Sequence, residues 1–199
     1  SDLASCLSLG DFRGTEHHLT IALHDGAAWT NSSDIARFRF DQRVAAQSLL
    51  GMTCWILGYP DRAVREAESA LSEANALAHP LSQALALERA CSVFILNGSL
   101  DRAEAMADAL ASHADRHGLD VWRVLAACGR AVVLVARGRL DTGLRLMSEM
   151  IAAFPREEFQ VRHTGWRTRW AEALGLAGRY GEALVVISKL MEEADARQQ

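Results

Sequence analysis

Two histidines, His113 and His117, stand four residues apart in a helix-patterned stretch. That spacing lets one helix face offer two imidazoles to a single metal ion. A third ligand is not fixed: Asp120 continues the spacing, but Gly118 is expected to end the helix before it. At multiples of 40 residues in either direction, the counterparts of His113 are Glu73, Ala153 and Glu193, and those of His117 are Leu77, Glu157 and Arg197. These are mostly polar, so the pair reads as a solvated helix face, and neither a metal nor another cofactor is expected. His17, His18 and His24 align with Arg65, Glu66 and Ser72 and read the same way, while His79 falls in a turn before Pro80. Arg162, Arg167 and Arg169 could gather around a phosphate, but Glu157, Glu158 and Glu172 surround them, which makes a mixed-charge solvated surface the expectation. Cys6, Cys54, Cys91 and Cys128 fall on different helical stretches without paired spacing, as buried thiols do and zinc ligands do not. Neither a phosphate-binding glycine loop nor a nucleophile elbow occurs, so no enzyme activity is expected.

The bulk of the chain narrows the choice further. Half of its 199 residues are hydrophobic, too many for disorder. A net charge of −4 gives no general attraction to nucleic acid or to an anionic membrane. Of the 21 basic residues only Lys189 is a lysine. With the abundant alanine, this fits the coding bias of a GC-rich genome better than phosphate binding. No apolar run approaches the roughly 20 residues that span a bilayer. The chain has no starting methionine and opens inside a repeat, as expected of a piece of a longer protein.

What must position any site is a repeat. Gly58, Gly98, Gly138 and Gly178 recur every 40 residues, each opening a similar phrase: Gly58-Tyr-Pro-Asp-Arg-Ala63, Gly98-Ser-Leu-Asp-Arg-Ala103, Gly138-Arg-Leu-Asp-Thr-Gly143 and Gly178-Arg-Tyr-Gly-Glu-Ala183. A fixed period of this size is the signature of a stacked array. Gly10-Asp-Phe-Arg-Gly-Thr15 is a partial fifth copy. Apolar residues follow each glycine at helical spacing, as in Ala63, Ala67, Ala70 and Ala74, and another helical pattern precedes it. The glycine itself suits a left-handed helix end. Seven residues before each glycine stand Gly51, Cys91, Ala131 and Ala171, all small, as needed where two helices approach closely.

This order of small residue, apolar residue, Gly-x-[Tyr/Leu]-x-x-Ala and further apolar positions resembles the tetratricopeptide repeat over nearly the whole chain. The unit is longer, 40 residues rather than about 34. Longer units of this kind look like the helical regions near the C-terminus of large bacterial signalling ATPases, which accompany cyclase or winged-helix domains. The resemblance implies an all-α right-handed solenoid of about five helix-turn-helix repeats, forming one domain over 1–199. The expected helices are 1–9 and 11–25, 38–57 and 60–77, 80–96 and 99–117, 119–137 and 139–154, 162–177 and 179–196. The first interval carries eight extra residues around 26–33, which read equally as a working loop or as a plain polar connection.

In such arrays the first helices line a concave groove. By the resemblance, the inward positions are Ala45, Ser48, Met52 and Trp55, then Leu85, Glu88, Ser92 and Ile95, then Leu125, Cys128, Val132 and Val135, then Gly165, Thr168, Glu172 and Gly175, with Arg89 and Arg169 beside them. The expected binding groove is therefore Met52, Trp55, Glu88, Arg89, Ser92, Thr168, Arg169 and Glu172. Trp55 is either its anchor or a packing residue beneath the turn at Gly58. Leu125 and Gly129 stand where family members that clamp a C-terminal carboxylate carry basic residues, so that clamp is not expected. A largely apolar groove suits a helix or extended peptide. The reading is a non-catalytic protein-interaction or effector-sensing scaffold of a bacterial cytoplasmic regulator. Its expected partner is a protein or peptide, including other domains of a parent protein; nucleic acid and membrane are not expected, and a homodimer is left open. The alternatives are a small-molecule receptor closing on an inducer and a structural oligomerisation segment.

Overall fold

The computed structural model of the chain describes residues 10–24, 40–153 and 160–196, with side chains from 165 onward in the last stretch. Among the described residues there are nine α-helices and no strand. They are α1 (Phe12–His24), α2 (Gln42–Ile56), α3 (Pro60–Leu77), α4 (Pro80–Leu96), α5 (Leu100–His117), α6 (Asp120–Ala136), α7 (Leu140–Ala153), α8 (Gln160–Leu176) and α9 (Tyr180–Asp195). The all-α repeat architecture expected from the period is the one observed. The expected helix over 1–9 and the extra residues at 26–33 lie outside the described residues. Helix α2 begins at Gln42 rather than 38, because Asp41 caps it: the Val44 N–H donates to its carboxylate at 2.9 Å. Helix α8 begins two residues earlier than expected, at Gln160.

The turn inside each helix pair is one device used four times. Gly58, Gly98, Gly138 and Gly178 have φ of 85°, 73°, 78° and 75°, in the left-handed region. Their N–H groups donate to Trp55, Ile95, Val135 and Gly175, and the next residue's N–H reaches back to Cys54, Phe94, Leu134 and Leu174. Those two bonds satisfy carbonyls that a helix end leaves open, the Schellman arrangement. The turns between pairs use a related geometry: Gly118 has φ 64°, and Ala78, forty residues earlier, is held at φ 53°. On the far side, Pro60 and Pro80 occupy first-turn positions where a missing N–H costs little. His79 caps α4 by accepting from the Ser82 N–H.

The chain divides into two compact units, Ser1–His117 and Gly118–Gln199. In the first, α2 packs on α3 and α4 on α5, while α2 and α3 both touch α4 and α1 touches α2. In the second, α6 packs on α7 and α8 on α9, and α8 touches both α6 and α7. Second helices bring small faces to these contacts; α3 buries only Ala63, Ala67, Ala70 and Ala74. The small residues expected on the first helices meet them. A Cβ on Gly51 would come within 3.3 Å of the Ala63 carbonyl. The Cys91 thiol donates to the Ala103 carbonyl at 3.3 Å. In the next pair the glycine has changed helix: Ala131 faces Gly143, where an added Cβ would lie 3.0 Å from the Ala131 carbonyl. Cores of larger residues flank these crossings, led by Leu19, Phe94 and Leu110 in the first unit and Leu125, Met147 and Leu174 in the second.

Candidate interaction surface and interhelical clefts

The residues expected to line a groove divide between the two units. In the first, Met52 and Trp55 on α2 and Arg89, Ser92 and Ile95 on α4 are all half-buried, each keeping an accessible side on two helices in mutual contact. Glu88 does not join them: it is only 5 % exposed, with the Arg89 guanidinium nitrogen 3.5 Å from Oε2. Its helix position turns it into the contact with neighbouring helices, so it is a packing residue. In the second unit Thr168 and Glu172 are exposed and Arg169 is half-buried, donating to Glu172 at 3.0 Å. Leu125, Cys128, Val132 and Val135 on α6 are all buried, as packing residues are.

The histidine reading is corrected. His117 is exposed, but His113 is not on a solvated face: it is 4 % exposed, and its Nε2–H donates to the Pro80 carbonyl at 2.8 Å. Its ring still lies against His117, with centroids 4.5 Å apart. The counterparts of His113 explain why polarity misled here. Glu73 accepts from Arg43 at 3.0 Å and Glu193 from Arg167 at 2.8 Å. At this register a second helix sends a polar arm to a first helix, so the position is polar yet partnered. Among the described residues no group of three potential ligands gathers to hold a metal. Cys54, Cys91 and Cys128 are buried and outside any disulfide. Burial pushes the Cys91 thiol up to about 12, with the Glu88 carboxylate adding to the shift, and burial raises Cys54 as well.

Two clefts open at the same register of different repeats. The first, about 520 Å³, lies among α1, α2 and α3 and is lined by Leu23, Arg43, Gln47, Arg62, Glu66 and Glu73 among others. Its charges pair with one another. Arg43 meets Glu73, and Arg62 bonds Glu16 at 2.5 Å and Glu66 at 3.3 Å. The Glu16 bond, above all, holds Arg62 protonated beyond its ordinary range. The second, about 490 Å³, lies among α7, α8 and α9 and has apolar walls. Arg167 there is corrected from the solvated face expected of it: its side chain is 12 % exposed and is paired to Glu193. Trp170 is half-buried and lines this cleft. The far side of α9 is an exposed apolar stripe of Tyr180, Leu184, Ile187 and Met191. Ile187 is 41 % exposed where its counterpart Met147 is 1 % exposed. Among the described residues no helix is long and apolar enough to cross a membrane.

Comparison with known proteins agrees with this geometry. The tetratricopeptide repeat family model matches residues 44–69 and 124–149, two segments two periods apart that each run from a first helix through its turn into the second. No curated protein matches the sequence. Among solved structures, the nearly identical TPR-like repeats of a kinesin light chain from Podosopora anserina superpose with a TM-score of 0.59 at 14% identity, covering 99% of this chain and 93% of that one. BtubC (BKLC) from P. vanneervenii superposes with a TM-score of 0.62 at 15% identity, covering 98% and 78%. Likeness at this identity concerns the fold, and in fold the chain is an array of TPR-like helix-turn-helix repeats.

Proposed function

We propose that the chain is a non-catalytic scaffold that holds a helix or extended peptide of another protein along α2 and α4. Repeats of this type generally serve protein–protein interaction. The observation that carries the reading is the strip of half-buried residues on those two adjacent helices: Met52 and Trp55 on one, Arg89, Ser92 and Ile95 on the other. A large ring with one side accessible is suited to anchoring a partner, because aromatic and arginine side chains dominate binding energy when a partner covers them. Thr168, Arg169 and Glu172 form a polar counterpart on α8, where the Arg169–Glu172 pair competes with outside ligands. The setting proposed is a bacterial cytoplasmic signalling or transcription regulator, on the strength of the 40-residue unit and its sequence style. Selection of displayed peptides on the intact chain tests the reading. Peptides so selected should lose about 30-fold or more in affinity on Trp55→Ala, the mark of a hot spot, with the melting temperature nearly unchanged. Unchanged affinity, or a stability loss of about 3–5 kcal/mol as for a core tryptophan, would make Trp55 a packing residue and remove the strip's anchor.

A further inference from the structure

We propose that the cleft among α7, α8 and α9 binds an amphipathic organic anion, a carboxylate on an aliphatic or aromatic body. This is a site separate from the peptide-binding strip and does not depend on it. Its volume of about 490 Å³ lies in the range of small-molecule sites, roughly 300–1,000 Å³. Along α9 the lining runs from Gly181 to Glu193, about 18 Å at the helical rise of ~1.5 Å per residue.

The two ends of the cleft differ in chemistry. At one end lie Leu174, Val185, Val186 and the open space at Gly181, where an added Cβ would meet nothing within 4 Å. At the other lie Lys189 and the Arg167–Glu193 pair. Of the four charged groups lining the cleft, three are engaged. Arg167 is bonded to both oxygens of Glu193 at 2.8 Å, and Glu182 at the rim is held by Arg179 at 2.7 Å, which keeps its carboxyl below the usual range. Lys189, the chain's one lysine, has no ion-pair partner among the described residues. The cleft therefore pairs an apolar wall with one uncompensated cation, and the ligand that complements it carries one negative charge on an apolar body.

The comparison between repeats argues that this lining is specific to the fifth. Where it has Gly181, the three before it have Asp61, Asp101 and Asp141. Val185 replaces Arg65, Ala105 and Arg145; Trp170 replaces Leu50, Ala90 and Arg130; Lys189 replaces Ser69, Ala109 and Glu149. Each of these changes either removes a charge that other repeats carry at that position, or adds the cation or apolar area. The cleft at the same register in the second repeat has its charges paired, Arg43 with Glu73 and Arg62 with Glu66, and Asp61, the counterpart of Gly181, lies outside its lining.

The test is calorimetric titration of the intact chain with decanoate and, separately, with decanol. Saturable one-to-one binding of decanoate at least 10-fold tighter than decanol is expected. Lys189→Met keeps the stem and removes the charge; it should erase that preference while leaving decanol unchanged. Gly181→Leu grows into empty space at the apolar end and should weaken both ligands at least 10-fold. Gly181→Asp restores the residue of the other repeats and should weaken decanoate more than decanol. Both Gly181 variants add helix propensity, so their folds are expected to hold, with melting temperature as the check. Equal binding of the two ligands, or no effect of Lys189→Met, overturns the proposal. So does decanoate binding that survives Gly181→Leu, since the ligand would then lie on the exposed stripe of α9. Absence of binding up to millimolar decanoate overturns it as well.

Discussion

Replacing Gly143 by alanine sets two effects of known size against each other. In the middle of a helix, Gly→Ala alone stabilises by about 1 kcal/mol. At this crossing, however, the new Cβ would lie 2.6 Å from Val135 Cγ2, 3.0 Å from the Ala131 carbonyl oxygen and 3.1 Å from the Val135 nitrogen. The methyl of Val135 can rotate away, but the other two atoms are backbone of α6 and move only if the helices part. Overpacking of this kind costs about 1–3 kcal/mol, so Gly143→Ala is expected to destabilise by about 1 kcal/mol net. That corresponds to roughly 2–4 °C in melting temperature for a chain of this length. Gly51→Ala is the internal control: its nearest atom, the Ala63 carbonyl oxygen, is 3.3 Å away, so the opposing effects nearly cancel. Urea unfolding followed by far-ultraviolet circular dichroism reads both variants. A midpoint that rises for Gly143→Ala by the full propensity gain would show that α6 and α7 are farther apart than described, and would refute the account of the small-residue crossing.

Ala78→Gly should stabilise by about 0.5–1 kcal/mol, since Ala78 is exposed and pays roughly 1–2 kcal/mol to hold φ 53°, only part of which glycine's freer unfolded chain offsets; a lower melting temperature would contradict this. Gly98→Val, at φ 73°, should destabilise by about 1 kcal/mol or more, and an unchanged melting curve would refute the left-handed cap. His113→Ala should cost about 2 kcal/mol, because it empties a buried site and removes the bond to the Pro80 carbonyl, whereas His117→Ala should be near neutral; equal effects would refute the buried assignment. Cys91 should resist alkylation in native buffer. Its thiol is raised from 9.0 to about 12, so the folded state holds the proton that the unfolded state releases. The stability this contributes is full below pH 9.0 and falls as pH rises from there toward about 12. Denaturant midpoints of wild type and Cys91→Ala across pH 8 to 10 should therefore converge as pH rises, and parallel curves would refute the shift.

The fold was legible because its signals are local. A glycine whose φ is positive and a stripe of small or apolar residues act within one helix pair, and each recurs every 40 residues, so the successive copies reinforce one another. The site was less legible because exposure depends on neighbours the pattern does not name. Glu88 and Thr168 hold equivalent positions two repeats apart, yet one is buried and the other exposed. The polarity of Glu73 and Glu193 suggests a solvated position for His113, although those carboxylates are themselves tied to Arg43 and Arg167. The α7–α8–α9 cleft did leave a trace, in Gly181 standing alone against three aspartates. A site built within one repeat shows itself as a departure from the others, not as a recurrence.

Within each unit, the described helices touch only those one or two places away along the chain. Closing any of these contacts brings together segments about half a period to one period apart, so the loop entropy to be overcome is small and similar at every step. Such low contact order favours folding in microseconds to milliseconds, with no contact that waits for distant parts of a unit to find each other. The same locality governs the way back. Strain or heat applied to one pair is resisted by its neighbours alone, and α9, which buries only Ala183 and Val186, has little apolar area holding it in place. A chain held together in this manner gives way rung by rung, and neighbouring rungs can keep their shape, and their ligands, while one of them is loose.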